Sequence, residues 1–172
     1  MSTPPGRSAP GSLLWGVPTA VLVHNVEEAL TVGRYTPAVL ALVPDAVRRL
    51  MPSSQYIYVI YVALVVATAI PIAFALVARR DRRSWATYGL LLVAAVMLVN
   101  AVWHSVAAVL LGGYAPGVVT AVAINLPVMA LVLRWARRES WLSKGALWMY
   151  LGIGLMLHGA GVLALLALAR FS

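Results

Sequence analysis

The sequence predicts an all-α integral membrane bundle of five transmembrane helices, with a short interfacial helix between the first and the second. Three observations lead to this prediction. The 172-residue chain is 62% hydrophobic with a mean hydropathy of +0.90, and only 10% of its residues are charged. Its apolar residues fall into five runs, each near the ~20 residues that a helix needs to cross ~30 Å of hydrocarbon. We therefore expect a single membrane domain.

The elements follow in chain order from these runs. Residues 1–12 are rich in Pro, Ser and Gly, which favours a disordered tail, and residues 13–172 form the transmembrane domain. The expected spans cover residues 13–32, 55–78, 84–111, 117–135 and 145–169. Residues 36–51 carry apolar side chains at helical spacing, which predicts the interfacial helix, broken at Pro44. The first run carries ionisable residues and lacks a small-residue cleavage site, so we expect a retained helix rather than a signal peptide.

The positive charge of the chain indicates its orientation. The formal net charge is +8, but the arginines lie in short loops beside the apolar runs, so no nucleic acid partner is expected. Alternate loops carry nine of the 13 Lys and Arg residues on one side, including Arg79-Arg80-Asp81-Arg82-Arg83. This bias predicts a protein of the cell (inner) membrane with a cytoplasmic N-terminus and an outer C-terminus. No internal repeat is visible, so one chain by itself lacks the symmetry of an inverted-repeat transporter. A homodimer would still supply such symmetry, and this alternative stays open.

The segment His24-Asn25-Val26-Glu27-Glu28 concentrates ionisable residues inside the first apolar run. A carboxylate near the middle of a membrane helix costs about 2.5–3.5 kcal/mol, so two adjacent ones need a metal ion, a proton or a cationic partner. Residues three and four apart share a helix face, so His24, Glu27 and Glu28 are expected to project together.

The other two histidines and two asparagines are expected at a similar depth. His104, Asn125 and His158 lie about seven to eleven residues from the predicted outer ends of their spans, and Asn100 is one turn from His104. This spacing predicts one polar layer in the outer half of the bilayer. A lone membrane histidine often only bonds across a helix interface, an alternative that stays open for His158. Asn25, Asn100 and Asn125 are more typical of interhelical hydrogen bonds than of metal ligands, which favours supporting roles for Asn100 and Asn125.

The same residues also form a recognisable combination of motifs. His24-Asn25-Val26-Glu27-Glu28 is followed by His104 and then by Tyr114-Ala115-Pro116-Gly117, which predicts a tight outer turn. This combination resembles the HXXEE family of small bacterial membrane proteins and extends over about residues 13–120. The resemblance implies an integral membrane protein with a site at these residues. It implies no reaction, since the family has no assigned activity.

Residue chemistry indicates what such a site would do. The chain has no cysteine, so a metal would bind through nitrogen and oxygen, which suits Zn or Fe. We predict a membrane-embedded metalloenzyme that acts on a lipid-like or other amphipathic substrate by hydrolysis, oxidation or isomerisation. The expected metal ligands are His24, Glu28, His104 and His158. Glu27 and Glu28 are the expected catalytic carboxylates, one of them a ligand and the other a base, with Asn100, Tyr114 and Asn125 in support.

Two alternatives use the same residues without a catalytic metal. A glutamate and a histidine would suffice for an acid–base isomerase of a membrane lipid. His24, Glu27 and Glu28 would also suit the coupling site of a small proton- or ion-coupled transporter. A stoichiometric metal that resists chelation would favour the metalloenzyme, whereas substrate flux into sealed vesicles would favour the transporter.

Overall fold

The computed structural model of the protein describes residues 11–41 and 56–158, and within these ranges every regular element is helical. The all-α prediction is thus confirmed for this part of the chain. The helices are α1 (Gly11–Ala41), α2 (Tyr56–Ala78), α3 (Trp85–Leu110), α4 (Val118–Arg138) and α5 (Lys144–Met156). Helix α4 contains a π-helical turn at Ala121–Asn125, which ends two residues before Pro127. Because Pro127 has no N–H to donate to the preceding turn, a local widening there is expected.

Three of the helices are long and apolar enough to cross a membrane: Ile57–Ala78, Trp85–Leu110 and Val118–Arg138. Only 11% of the most apolar stretch of α2 is buried within the described part of the protein. A large exposed apolar surface of this kind is unfavourable in water and stable in hydrocarbon. These helices support a membrane protein and correspond to three of the five predicted spans.

Helix α1 differs from the prediction in both its hydropathy and its length. Its 31 residues are enough to span a bilayer, but the polar residues from His24 to Glu28 lower its hydropathy. It also does not end near residue 32, because it continues through Pro37 to Ala41. Thr36 donates its hydroxyl to the carbonyl of Val32 at 2.7 Å, and hydroxyl groups and packing commonly support proline-containing membrane helices. Residues 36–41, predicted to begin an interfacial helix, are therefore the last part of α1.

The remaining predicted segments lie partly outside the residues that the structure describes. Gly11 and Ser12, predicted to belong to the tail, begin α1, and the rest of that tail lies outside the described residues. The same holds for residues 42–51 of the predicted interfacial helix. Helix α5 is described over 13 residues and a following π-helical turn to His158, so the outer part of the predicted fifth span also lies outside.

Short turns join α2 to α3, α3 to α4 and α4 to α5. Helix α3 ends at a left-handed Gly112 with φ of 72°, and the N–H of Gly113 donates to the carbonyl of Ala108 at 2.8 Å. This is the Schellman arrangement, which satisfies the last carbonyls of a helix. Helix α5 begins at Ser143, whose hydroxyl accepts the N–H of Ala146 at 3.0 Å.

The apolar core and the polar residues lie at opposite ends of the bundle. Helix α3 is central, since it packs against each of the other four helices, and α1 packs on α2, α3 and α4. The most buried core residues come from the halves of the helices next to the Arg79–Arg83 loop: Leu14, Val17 and Val21 of α1, Leu90 and Leu91 of α3, and Met129 of α4. This packing secures the helices at one end, and the histidines and glutamates assemble toward the other.

Candidate functional site

His24, Glu28 and His104 form a compact group between α1 and α3. Nε2 of His24 lies 3.5 Å from Oε2 of Glu28, and Nε2 of His104 lies 3.8 Å from the same oxygen. The ligand atoms of all three residues lie within 4.8 Å of one another. The two imidazole rings meet edge to face, with centroids 4.8 Å apart and an interplanar angle of 82°. Both rings therefore direct Nε2 toward one carboxylate.

The two Nε2–Oε2 separations are longer than hydrogen bonds and close to the distance between two ligands of one metal ion. An N–H···O bond spans about 2.7–3.2 Å, whereas ligand atoms about 2.1 Å from a tetrahedral metal lie about 3.4 Å from one another. His24 is fully buried, and its Nε2 has no hydrogen-bond partner among the described residues. A buried polar atom without a partner is costly in a folded protein. The geometry of the group is thus compatible with a bound metal ion.

Glu27, the neighbour of Glu28, faces a different partner, the start of α4. Its Oε1 accepts the hydroxyl of Tyr114 at 2.7 Å and the N–H of Val119 at 3.2 Å. Its Oε2 accepts both the N–H and the hydroxyl of Thr120, at 2.7 and 2.5 Å. An ionised carboxylate has about four acceptor positions, and the N-terminus of a helix favours a negative charge. Four donors therefore satisfy Glu27 as a carboxylate.

The local sequence explains why α4 needs this acceptor. The residue that precedes the helix is Gly117, which has no side chain to cap the first N–H groups. Glu27 supplies the missing acceptor from α1. Burial raises the pKa of the Tyr114 hydroxyl, and the nearby Glu27 carboxylate raises it further, so the hydroxyl stays protonated and donates.

The turn before α4 packs directly on the histidines. Gly117 has φ of 78°, a left-handed conformation that glycine adopts without steric cost. A Cβ atom at this position would lie 2.8 Å from Cε1 of His24, 3.2 Å from Cε1 of His104 and 3.4 Å from Cβ of Glu28. Only a glycine fits this approach, so the turn closes the group on the side of the α3–α4 loop.

On another side the group borders a cavity of about 360 Å³ between α1, α2, α3 and α5. Its polar lining includes Glu28, Asn100, His104 and His158. Most of the remaining lining is apolar and comes from α2 and α3, with Val59, Ile60, Ala63, Ala67, Val96 and Met97. Two of the three clustered residues therefore face a space bounded mainly by hydrocarbon side chains.

Comparison with known proteins identifies the family of this chain. The family described as "Protein of unknown function with HXXEE motif" matches residues 15–132, more than half of the chain. The chain belongs to this family. It is also similar to a Bacillus subtilis (strain 168) protein named "Uncharacterized protein YrkK", with 26% identity over 150 residues that cover 87% of each chain. No solved structure shows a significant match. The resemblance based on the motifs is thus confirmed.

The predicted site residues of this HXXEE protein fall into separate environments. His24, Glu28 and His104 come together, whereas Glu27 binds the start of α4. His158 lines the cavity outside the group of three, with Nδ1 at 3.3 Å from the carbonyl oxygen of Gly154. Asn25, expected to bond between helices, does so through its Nδ2, which donates to the Leu64 carbonyl at 3.1 Å and to the Thr68 hydroxyl at 2.7 Å.

The other predicted supporting residues also lie near the polar layer. Tyr114 contacts Glu27, as described above. Asn100 lines the cavity, and its Oδ1 is buried with no hydrogen-bond partner among the residues that the structure describes. Asn125 is fully buried in the π-helical turn, and within the same described ranges both atoms of its amide are unpaired.

The sequence analysis missed one residue of the site, Thr120. Its hydroxyl contacts Glu27 and lies 3.2 Å from Nδ1 of His24, so it links the histidine and the first glutamate of the HXXEE signature. A signal for it exists in the sequence: Thr120 is a polar residue three positions after Gly117, at the start of an apolar run. A helix that begins with a glycine cap requires an acceptor from elsewhere, which would direct attention to its first turn.

Proposed function

We propose that the protein is a membrane-embedded metal-dependent enzyme that acts on a lipid-like or other amphipathic molecule. One observation carries this proposal: two imidazole nitrogens and one carboxylate oxygen converge at metal-ligand spacing beside an apolar cavity. A set of two histidines and one carboxylate is typical of catalytic Zn²⁺ and of non-haem Fe²⁺. Three protein ligands also leave coordination positions free for water or substrate.

In this proposal His24, Glu28 and His104 hold the metal. A divalent ion there would polarise a bound carbonyl or phosphoryl oxygen, or would activate water. Glu27 does not take part in the reaction, because its carboxylate is occupied by four donors from Tyr114, Val119 and Thr120.

His158 is the candidate for the acid–base residue. The carbonyl of Gly154 beside its Nδ1 only accepts hydrogen bonds, so a neutral His158 carries its proton on Nδ1. Its Nε2 then has a lone pair, and the residue lines the same cavity as Glu28 and His104. A histidine in this state is able to take a proton from water or substrate.

The cavity supports an amphipathic substrate. Its volume of about 360 Å³ lies at the small end of the range of about 300–1,000 Å³ for ligand pockets. An apolar chain would lie against α2 and α3, and the reacting group would lie at Glu28 and His104. The unpaired Oδ1 of Asn100 offers an acceptor to a hydroxyl or N–H of the substrate. Hydrolysis, oxidation and isomerisation all suit this arrangement.

The proposed setting is the cell membrane, with α1 and α5 as two further spans beside the three apolar helices. The N-terminus would then be cytoplasmic and the C-terminus outside, since the loops with most Lys and Arg lie on the cytoplasmic side. The site would lie in the outer half of the bilayer. Substrate would enter from the membrane, because Gly117 closes the group on the side of the α3–α4 loop.

Metal content tests the proposal, and the chain provides its own control. The protein is purified in detergent without chelator, and bound Zn, Fe and Mn are quantified by mass spectrometry. We expect a stoichiometric metal in the wild type, loss in His24→Ala and His104→Ala, and retention in His158→Ala. If the wild type carries no metal and none of these ions raises its melting temperature, the metal proposal is wrong. The acid–base isomerase that needs no metal would then be favoured.

A second experiment tests the substrate cavity. Ala63→Leu would fill part of the cavity, whereas Ala69→Leu adds the same volume to an exposed position on the same helix. Lipids and other amphiphiles that co-purify with each variant are compared by native mass spectrometry. A bound amphiphile should be lost in Ala63→Leu and kept in Ala69→Leu. Equal retention in both variants would contradict the cavity as the binding site.

A further inference from the structure

We propose that Thr120, held by Glu27, is a positioning residue that fixes the neutral His24 ring with its proton on Nδ1 and its lone pair on Nε2. The consequence is a His24 nitrogen that is ready to bind a metal beside Glu28 and His104. That the His24 nitrogen binds a metal rests on the proposed function. The arrangement itself belongs to the metal-free protein and is testable there.

The first step is the direction of the Thr120 hydroxyl. A threonine hydroxyl has one hydrogen, and besides Nδ1 of His24 at 3.2 Å two oxygen acceptors lie near it: Oε2 of Glu27 at 2.5 Å and the carbonyl oxygen of Gly117 at 3.3 Å. An O–H···O⁻ bond to an ionised carboxylate is typically about 2.5–2.7 Å long and is stronger than a bond between neutral groups. The hydrogen therefore goes to Glu27.

The second step is the tautomer of His24. Because the Thr120 hydroxyl donates its hydrogen to Glu27, its oxygen accepts a hydrogen bond from Nδ1 of His24, 3.2 Å away. A neutral imidazole has one donor nitrogen and one acceptor nitrogen, so a proton on Nδ1 leaves the lone pair on Nε2. That Nε2 is the buried atom 3.5 Å from the Glu28 carboxylate.

The third step is the rigidity of the chain of hydrogen bonds. The Glu27 carboxylate also accepts from the N–H groups of Val119 and Thr120 and from the hydroxyl of Tyr114, so it has little freedom to turn away. Metal-binding histidines commonly donate their other N–H to a carboxylate, carbonyl or water, and loss of that partner typically weakens metal binding about 10–100-fold. Here Thr120 stands between the imidazole and the carboxylate. The two adjacent glutamates of the HXXEE signature thus act on opposite sides of His24.

The experiment compares Thr120→Val with Thr120→Ser in the full-length protein. Valine keeps the shape and the backbone N–H that binds Glu27 but removes the hydroxyl, whereas serine keeps the hydroxyl. Metal-free samples labelled with ¹⁵N-histidine are studied by NMR, and the His24 signals are assigned by comparison with His24→Ala. We expect protonated Nδ1 and unprotonated Nε2 in the wild type and in Thr120→Ser, and loss of this single state in Thr120→Val.

Zinc affinity gives the second readout. By competition with a chelating dye, Thr120→Val should bind Zn²⁺ about 10–100-fold more weakly than the wild type, and Thr120→Ser should bind within a few-fold of it. In chelator, Thr120→Val should melt below Thr120→Ser, because valine loses the hydroxyl bond to Glu27 while the backbone cap of α4 is intact in each. A residue that only stabilised the fold would change the melting temperature and leave the ratio of affinities unchanged.

Each outcome bears on one claim. A His24 proton on Nε2 in the metal-free wild type, or an unchanged tautomer in Thr120→Val, would overturn the inference. The predicted tautomers without binding of Zn²⁺, Fe²⁺ or Mn²⁺ in any sample would support the role of Thr120 and would reject the proposed metal enzyme. If Thr120→Val does not fold, the spectra of the wild type and Thr120→Ser still decide the tautomer.

Discussion

At the scale of single residues, the two glutamates of the signature differ because of helix geometry. Consecutive residues of an α-helix point about 100° apart, so Glu28 meets His24 and His104 while Glu27 reaches α4. His24 and Glu28 are four residues apart and share a face. One helix therefore presents a ligand on one side and a helix cap on the other.

This difference predicts that amide substitutions at the two glutamates affect different properties, protein stability at Glu27 and metal binding at Glu28. Glu27→Gln should lower the free energy of unfolding of the metal-free protein by about 1–3 kcal/mol, because a charged acceptor of four hydrogen bonds is replaced by a neutral amide. Glu28→Gln should lower it less, because the Glu28 carboxylate lies 3.5 and 3.8 Å from its two imidazole neighbours and loses no short hydrogen bond there, but it should abolish metal binding. Denaturant unfolding in chelator and metal analysis measure the two effects. Equal destabilisation by both substitutions would contradict the separation of roles.

Gly117 predicts a second effect at this scale, with a matched glycine as control. Gly117→Ala should cost about 1–2 kcal/mol for the left-handed backbone and about 1–3 kcal/mol more for the clash with His24 and His104. Gly112→Ala has φ of 72° at the wild-type position but nothing within 4 Å of the added Cβ, so it should show only the backbone cost. Unfolding free energies of the two variants give the difference, and zinc content should fall only in Gly117→Ala. Similar unfolding free energies for both variants would mean that the close contact of Gly117 with the two imidazole rings does not affect stability.

At the scale of helices, the pairing of α1 with α2 brings a polar contact into an otherwise apolar interface. Asn25 donates to Thr68 at 2.7 Å and to the carbonyl of Leu64 at 3.1 Å, and Tyr61 donates to the carbonyl of Ala29 at 3.2 Å. In hydrocarbon such bonds help to select the partner and register of a helix, because apolar side chains pack on lipid as readily as on one another. Asn25 thus helps to hold α1 in the orientation that presents Glu28 to the cavity.

A double-mutant cycle measures this contact. Asn25→Ala and Thr68→Val should each destabilise the protein, and their coupling energy should be about 0.6 kcal/mol and at most about 1.7 kcal/mol, the range for hydrogen bonds between membrane helices. Thr36→Val serves as the control partner, since the Thr36 hydroxyl bonds the Val32 carbonyl of its own helix. Unfolding in detergent gives the four free energies. A coupling with Thr36 as large as that with Thr68 would rule out a specific interhelical bond.

At the scale of the whole molecule, the apolar core that stabilises the bundle and the polar group of the candidate site lie at different ends. The fully buried core residues Leu14, Leu90 and Met129 lie toward the end with the arginine-rich loop, and the polar group lies toward the end with the α3–α4 turn. An apolar core can be packed densely only where no polar group needs a partner. This separation allows unpaired groups such as His24 Nε2 to persist in a stable fold.

The proposed orientation predicts the labelling of single cysteines, which is clean because the chain has none of its own. Gly113→Cys in the α3–α4 loop should react with a membrane-impermeant maleimide in intact cells. Glu139→Cys, in the turn between α4 and α5, should react only after the membrane is permeabilised. The reverse pattern would place the arginine-rich loop outside and would contradict the proposed topology.

Local hydropathy was sufficient to predict most of the helices. The spans expected at residues 55–78 and 84–111 correspond to Tyr56–Ala78 and Trp85–Leu110. Hydrophobicity and helical spacing are properties of neighbouring residues, so the sequence determined these helices and the shared face of His24 and Glu28. The extension of α1 to Ala41 was not predictable in the same way, because a proline by itself signals a helix break, whereas here the helix continues through Pro37.

Tertiary structure decided which partner each residue of the HXXEE signature contacts. Whether Glu27 or Glu28 joins the histidines depends on which helix packs against each side of α1, and no pattern within α1 contains that information. The same packing brings Thr120, 96 positions away along the chain, to Nδ1 of His24 and brings Gly117 against two imidazole rings. Residue types and their local spacing therefore determined the candidate ligands. The packing of α1 against α3 and α4 decided which of them meet, because only long-range contacts bring those side chains together.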